Sequence, residues 1–183
     1  MRIGVFFGER FEEVEALTVV DLLRRAGYVV ETVSVGHTHH VGGAHSIVIK
    51  TDFVVDEIWF KNLDMLVLPG GSGHKNLEKC SLLMKYVKKF NEEGKFLAAI
   101  CASPSILGRA GVLEGKTVTC FPGFEDECKG ATVTGSEAEW SQNVITGRSA
   151  GSAVPFSLKI IEAIDGKEKA LSIAKEICYD HFE

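Results

Sequence analysis

Short apolar runs alternate along this chain with longer stretches in which apolar residues return every three or four positions. The short runs are 3–7, 29–35, 65–68 and 96–101, of which 65–68 and 96–100 have no polar face, and between them 12–26 and 76–93 carry the helical period. A strand apolar on both faces is one covered by helices on both sides, the pattern of a parallel sheet. The alternation therefore predicts a doubly wound, mostly parallel α/β sheet. Residues 45–52 read as a further strand, and 118–121, 131–134 and 144–146 as later ones set off by Gly and Asn turns. The chain returns to helix over 156–164 and 170–178. No repeat, linker or low-complexity stretch interrupts this order, so residues 1–183 read as one domain.

Composition narrows the function classes. Acidic residues outnumber basic ones by 25 to 20, and the formal charge of −5 is spread without a run of five like charges. Neither nucleic acid nor an anionic membrane is thus an expected partner. The longest apolar runs, of four to six residues, fall far below the ~20 that a membrane span requires. Met1-Arg2-Ile3 leads straight into a strand without the apolar region and cleavage site of a secretory signal, so a cytoplasmic location is expected. The 5 cysteines are odd in number and form no C-x-x-C pair, which argues against both a disulfide framework and a zinc knuckle. At least one thiol is left for chemistry.

Three features carry that chemistry. Cys101 ends an apolar run and precedes Ala102, Ser103 as an expected N-cap and Pro104 as an expected first helical residue. A cysteine on a strand-to-helix turn meets unpaired N–H groups, and these favour the thiolate. The end of a central parallel strand is also where open α/β sheets bind ligands. The other four cysteines read as structural. Glu15 shares a helical stripe with Val19, Leu22 and Ala26. A carboxyl on an apolar face loses solvation, its pKa rises, and it becomes able to move a proton near neutral pH. Glu12 and Glu13 read instead as favourable charges in the first helical turn. The third feature is Leu68-Pro69-Gly70-Gly71-Ser72-Gly73, a glycine-rich turn after an apolar strand whose N–H groups suit an oxyanion. It fails as a nucleotide loop, because Lys75 is followed by Asn76 rather than Ser or Thr, and Asn76 stands where G-x-G-x-x-G needs its third Gly.

Two further patterns carry less. Gly147-Arg148-Ser149-Ala150-Gly151 matches G-x-S-x-G, with Asp165 and His181 downstream, but the helical stretch that follows offers no strands to carry an acid and a histidine. His37, His39, His40 and His45 lie in a polar turn without i, i+4 spacing or an acidic ligand nearby, and read as a solvated loop.

Glu15, Leu68-Pro69-Gly70-Gly71 and Ala98-Ala99-Ile100-Cys101-Ala102-Ser103-Pro104, with Asp21 to Gly27 and the end around Gly166-Lys167-Glu168, resemble the ThiJ/PfpI superfamily, specifically its parkinsonism-linked DJ-one branch. The resemblance runs nearly end to end. It implies a flavodoxin-like three-layer sandwich of the class I glutamine amidotransferase-like type, usually a homodimer. In such relatives the cysteine sits on a strained elbow beside a protonated glutamate, with the N–H groups matching Gly71 and Ala102 facing the reacting oxygen. Four departures stand out. Ala102 occupies the place of the histidine that follows the cysteine in the protease-like branch, which removes a Cys-His dyad. Phe121 precedes Pro122 where some members have histidine, and Ser103 replaces a more frequent glycine. His45 aligns with an arginine near the pocket. The resemblance implies a glutathione-independent glyoxalase or deglycase acting on methylglyoxal or glyoxal, in which Cys101 adds to the aldehyde and Glu15 moves the proton, without cofactor or metal. A redox-responsive stress protein or chaperone whose Cys101 is oxidised to a sulfinate is the alternative.

Overall fold

Burial on both faces draws the apolar runs side by side. The computed structural model describes residues 1–182. Its first half runs β1 (Arg2–Phe7), α1 (Glu13–Arg25), β2 (Val29–Ser34), β3 (His40–Gly42), β4 (Val48–Lys50), β5 (Phe53–Val54), β6 (Met65–Leu68), α2 (His74–Lys79) and α3 (Ser81–Glu92). The second half runs β7 (Phe96–Ile100), α4 (Pro104–Arg109), β8 (Thr117–Val118), β9 (Thr132–Val133), β10 (Ala138–Ser141), β11 (Val144–Gly147), α5 (Ala153–Asp165) and α6 (Lys167–Glu176). The main sheet has the order β10-β11-β7-β6-β1-β2-β5. Every pairing in it is parallel except that of β10 with β11. The expected doubly wound α/β class is the observed one.

Alternate side chains of the central strands enter two cores. Met65 and Val67 of β6 and Ala98 and Ile100 of β7 pack with Val19, Leu23, Phe156 and Ile160, from α1 and α5. Leu66, Leu68, Leu97 and Ala99 point the other way, against Leu83, Val87 and Phe90 of α3 and Leu107 of α4. This is the period-2 geometry of a strand, and it explains why these runs lack a polar position. Among the described residues no helix is long and apolar enough to cross a membrane.

Several boundaries differ from the sequence expectation. The helix expected over 76–93 is two helices, parted at Cys80, whose ψ of 96° is extended. Leu77 and Leu83 are both buried in one core, yet six residues along a continuous helix would place them about 120° apart; the break turns both inward. The strand expected over 45–52 shrinks to β4, which pairs with β3 as an antiparallel hairpin. His45 and Ser46 fall in its turn, where Ser46 takes a φ of 68°. Residues 118–121 and 131–134 shorten to β8 and β9, which pair only with each other. The edge strand β10 was not anticipated, since its Glu139 and exposed Trp140 break the apolar pattern.

In this topology β1 leads to β2 on one side while the chain later adds β6 on the other, so β1 and β6 flank the switch point. The loops leaving β1, β6 and β7 meet there.

Candidate functional site

Cys101 is the first residue beyond β7, not its last, and its backbone is left-handed with a φ of 66°. For a residue with a Cβ this costs about 1–2 kcal/mol, so surrounding bonds must impose it. Its N–H donates to Gly147 O at 2.9 Å, and its carbonyl accepts from Phe121 N at 2.8 Å. The Phe121 side chain is itself substantially exposed. Ser103 N donates to Ile100 O at 3.1 Å, completing the turn. Ser103 does not cap α4 with its side chain. The buried hydroxyl donates instead to Pro69 O at 2.6 Å, tying the cysteine turn to the glycine turn.

The Cys101 thiol is pushed up to about 12, first by burial, then by the neighbouring Glu15 charge, while N–H bonds from Gly71 and Ala102 to the sulfur oppose the rise. A preformed thiolate was expected from the helix N-terminus. The correction is physical: α4 is only six residues long, and desolvation outweighs its few N–H groups.

Glu15 lies where its helical stripe predicts, 1 % exposed. Burial raises its carboxyl to about 7; hydrogen bonds with the Cys101 side chain and the Gly70 N–H work against that rise, and the Glu12 charge adds to it. Gly70 N donates to Oε2 at 2.9 Å. Oε1 is buried without a protein partner, the one such side-chain oxygen or nitrogen among the described residues. Burial thus acts to raise both groups, and each is affected by the other.

Gly70 and Gly71 are required for different reasons. A Cβ on Gly70 would stand 2.5 Å from both Cys101 Cβ and Glu15 Oε2, so only glycine lets the three groups converge. Gly71 has a φ of 80° and abuts Glu12 N and Arg10 O. Glu12 N donates to Gly70 O at 3.1 Å, Gly73 N to Arg10 O at 2.9 Å, and Arg10 Nε to Ser72 Oγ at 3.0 Å. The β1–α1 loop thereby clamps the glycine turn. A residue that sequence reasoning missed joins it: His74, 6 % exposed, whose Nδ1 lies 2.9 Å from Gly71 O. No periodic or spacing signal marks it.

Cys101, Glu15, Gly70, Gly71 and Ala102 therefore come together as expected, whereas His45 stands apart. Its ring Nδ1 is 2.9 Å from Glu13 Oε2 and 3.6 Å from Glu12 Oε1, and its side chain is 68 % exposed. The reading of a histidine loop without acidic neighbours is thus corrected for His45; Glu13 does stand in the first turn of α1, as expected, but is buried there. Burial acts to raise Glu13, but hydrogen bonds from the His45 side chain and from backbone N–H groups hold it below the usual carboxylate range. The Glu13 hydrogen bond, with both acids' charges, raises His45 in turn. Glu12, Glu13 and His45 gather their ligand atoms within 4.8 Å. Both Glu13 oxygens are already used by the His45 backbone and ring.

The G-x-S-x-G match dissolves. Ser149 has an extended φ of −168° rather than an elbow, Asp165 accepts from Tyr28 Oη at 2.7 Å, and His181 packs edge-on against Tyr179.

Fold and site together put the chain among flavodoxin-like α/β proteins that carry a cysteine on a strained strand-to-helix elbow. A DJ-1/PfpI family profile matches residues 1–163, and the chain belongs to that family. Protein DJ-1 homolog B of Arabidopsis thaliana is 36 % identical over 89 % of this chain but only 38 % of its own length. The second Arabidopsis homologue is likewise covered over 45 % of its length, so the chain spans less than half of these two relatives. A protein named glutathione-independent glyoxalase in Caenorhabditis elegans is 31 % identical over 93 % of this chain and 91 % of itself. One named deglycase in Pyrococcus abyssi is 32 % identical over 86 % and 93 %. The solved structure of oxidised Toxoplasma gondii DJ-1 superposes with a TM-score of 0.94 at 31 % identity, covering 98 % of this chain and 99 % of the other.

Proposed function

We propose that this protein is a glutathione-independent glyoxalase-like or deglycase-like enzyme acting on small reactive carbonyl compounds. The carrying observation is the buried Glu15 carboxyl, raised to about 7, whose Oε2 converges with the Cys101 side chain on Gly70. The glyoxalase and deglycase names borne by relatives point to the same substrate class.

Glu15 takes the thiol proton as the Cys101 sulfur adds to the aldehyde carbon of methylglyoxal. The oxyanion that forms meets the Gly71 and Ala102 N–H groups and takes the proton back from Glu15, giving the hemithioacetal and leaving the carboxylate free again. Glu15 then removes the hydrogen on that carbon and the neighbouring carbonyl carbon is protonated, which isomerises the adduct to a thioester. Water hydrolyses the thioester to lactate and frees the thiol. The sum is methylglyoxal plus water giving lactic acid, so no external oxidant or reductant enters. Residues 1–183 act as one domain, and the working unit is a homodimer.

Lactate formation from methylglyoxal without glutathione, measured for the wild type beside Cys101→Ala and Glu15→Gln, tests the reading. Cys101→Ala abolishes turnover, and Glu15→Gln lowers it by about 10²–10⁴-fold. A wild type without turnover sinks it. In that case a two-oxygen mass gain confined to Cys101 under mild peroxide supports the sulfinate-forming sensor, for which the same acid and N–H groups hold the oxidised sulfur.

A further inference from the structure

A carboxyl that hands a proton to one neighbour needs its plane fixed, and burial leaves Glu15 few groups to fix it. Oε1 has no protein partner among the described residues. Oε2 takes one backbone hydrogen bond, from Gly70 N at 2.9 Å. The orientation of the acid therefore depends on the orientation of the peptide that carries the Gly70 N–H. That peptide joins Pro69 to Gly70, and its other polar end is the Pro69 carbonyl.

The bond is trans, since none among the described residues is cis, so its carbonyl and N–H point to opposite sides of one rigid plane. The plane can still turn about the single bonds that flank it, Pro69 Cα–C and Gly70 N–Cα, and glycine resists such turning least. On the carbonyl side the holding group is a side chain. Ser103 Oγ donates to Pro69 O at 2.6 Å. The serine is 0 % exposed, and its backbone is tied at both ends, its N–H to Ile100 O at 3.1 Å and its carbonyl to Ile106 N at 3.0 Å. A hydroxyl has one hydrogen to give, and here it goes to Pro69. The following peptide is fixed separately, by Glu12 N on Gly70 O at 3.1 Å. A line of contacts thus runs from the turn after Cys101 through a single peptide to Glu15.

We propose that Ser103 is a positioning residue for Glu15: its hydroxyl, by holding the Pro69 carbonyl, sets the peptide whose Gly70 N–H fixes Glu15 Oε2. The inference rests on the reading of Glu15 as the acid–base group and deepens it. A hydrogen bond accepted at one end of a peptide also strengthens donation at the other, so the serine favours the ionised carboxylate as well as its placement. Alanine or glycine at this position has no such donor.

The test is the 13C chemical shift of the Glu15 carboxyl, assigned by its loss in Glu15→Gln and followed across pH in the intact folded protein and in Ser103→Ala, Ser103→Cys and Ser103→Thr. The Gly70 N–H bond opposes the rise of the wild-type carboxyl, which stands at about 7, so loosening that bond moves the midpoint up. The expected shift in Ser103→Ala is about one pH unit, a roughly tenfold weaker acid and the scale of one weakened bond to a charged group, with Ser103→Thr within about twofold of the wild type. Ser103→Cys fills the same space with a poorer donor and shifts the midpoint the same way, which keeps the question decidable if the alanine variant fails to fold. Equal midpoints in all the folded proteins overturn the proposal, as does a downward shift or a shift in Ser103→Thr as large as in Ser103→Ala. A purely structural tie would lower stability and leave the midpoint in place. The titration needs no turnover, so failure of the glyoxalase-like reading shows separately, as a wild type that makes no lactate.

Discussion

Glu15 carries the clearest consequence at the scale of single residues, because burial displaces its carboxyl from 4.5 to about 7. The folded chain then binds a proton between those values that the unfolded chain releases. The contribution of Glu15 to stability is therefore greater below about pH 4.5 than above pH 7, by about 3 kcal/mol, and is lost as pH rises through that window. Glu15→Gln removes this dependence. Its thermal midpoint exceeds the wild type's at pH 8, and the difference shrinks toward pH 4.5; calorimetry at the two pH values checks it. The same group sets the pH profile of activity. In the proposed mechanism its carboxylate accepts the thiol proton, so kcat/KM is expected to rise through about pH 7 to a plateau, and a profile that falls there excludes Glu15 as the base. Gly70→Ala drives a methyl into the Cys101 and Glu15 contacts. Overpacking of this kind costs about 1–3 kcal/mol, and turnover falls with it. Cys101, Glu15 and the two glycines were legible because each stands at a position that punctuates a local pattern. The protonation state of Cys101 was not, since desolvation depends on what the rest of the chain lays over the sulfur.

At the scale of elements, the turn after β7 and the turn after β6 are one unit joined by Ser103. Local pattern marked that serine as a cap, but its hydroxyl reaches Pro69 O in another element. Ser103→Ala leaves this buried carbonyl unpaired, at about 1–3 kcal/mol. Urea unfolding measures the loss, and a variant as stable as the wild type refutes the link. The break between α2 and α3 was equally hidden. No Gly or Pro marks Cys80, and only the demand that Leu77 and Leu83 share one core separates the helices. His74 escaped notice for a related reason: its bond to Gly71 joins residues three apart through a ring nitrogen, with no periodicity to report it.

At the scale of the whole molecule, exposed apolar side chains collect on α1, with Val14 and Leu17, and on the β3–β4 hairpin, with Ile47 and Val48. The hairpin is fastened beside α1 by the bridge of Phe11 to Gly43 and by the His45–Glu13 pair. A homodimer that uses this region is expected to dissociate on Val48→Glu. Light scattering with size-exclusion chromatography reads the mass directly, and a variant that keeps the wild-type mass removes the hairpin from the interface. The doubly wound sheet itself was legible, because parallel strands covered on both faces need apolar residues at every position and leave that mark in β6 and β7. The edge strand β10, paired on one side only, carries no such mark.

The division follows from the range of the forces involved. Periodicity, turn chemistry and the burial of a helical stripe are local, and from them came the α/β class, the nucleophilic turn at Cys101, the acid at Glu15 and the glycine turn between them. Desolvation and cross-chain hydrogen bonds act between residues distant in sequence. Tertiary structure therefore decided the burial that raises the Cys101 thiol and the Glu15 carboxyl, that Ser103 ties two loops, and that His45 answers to Glu13.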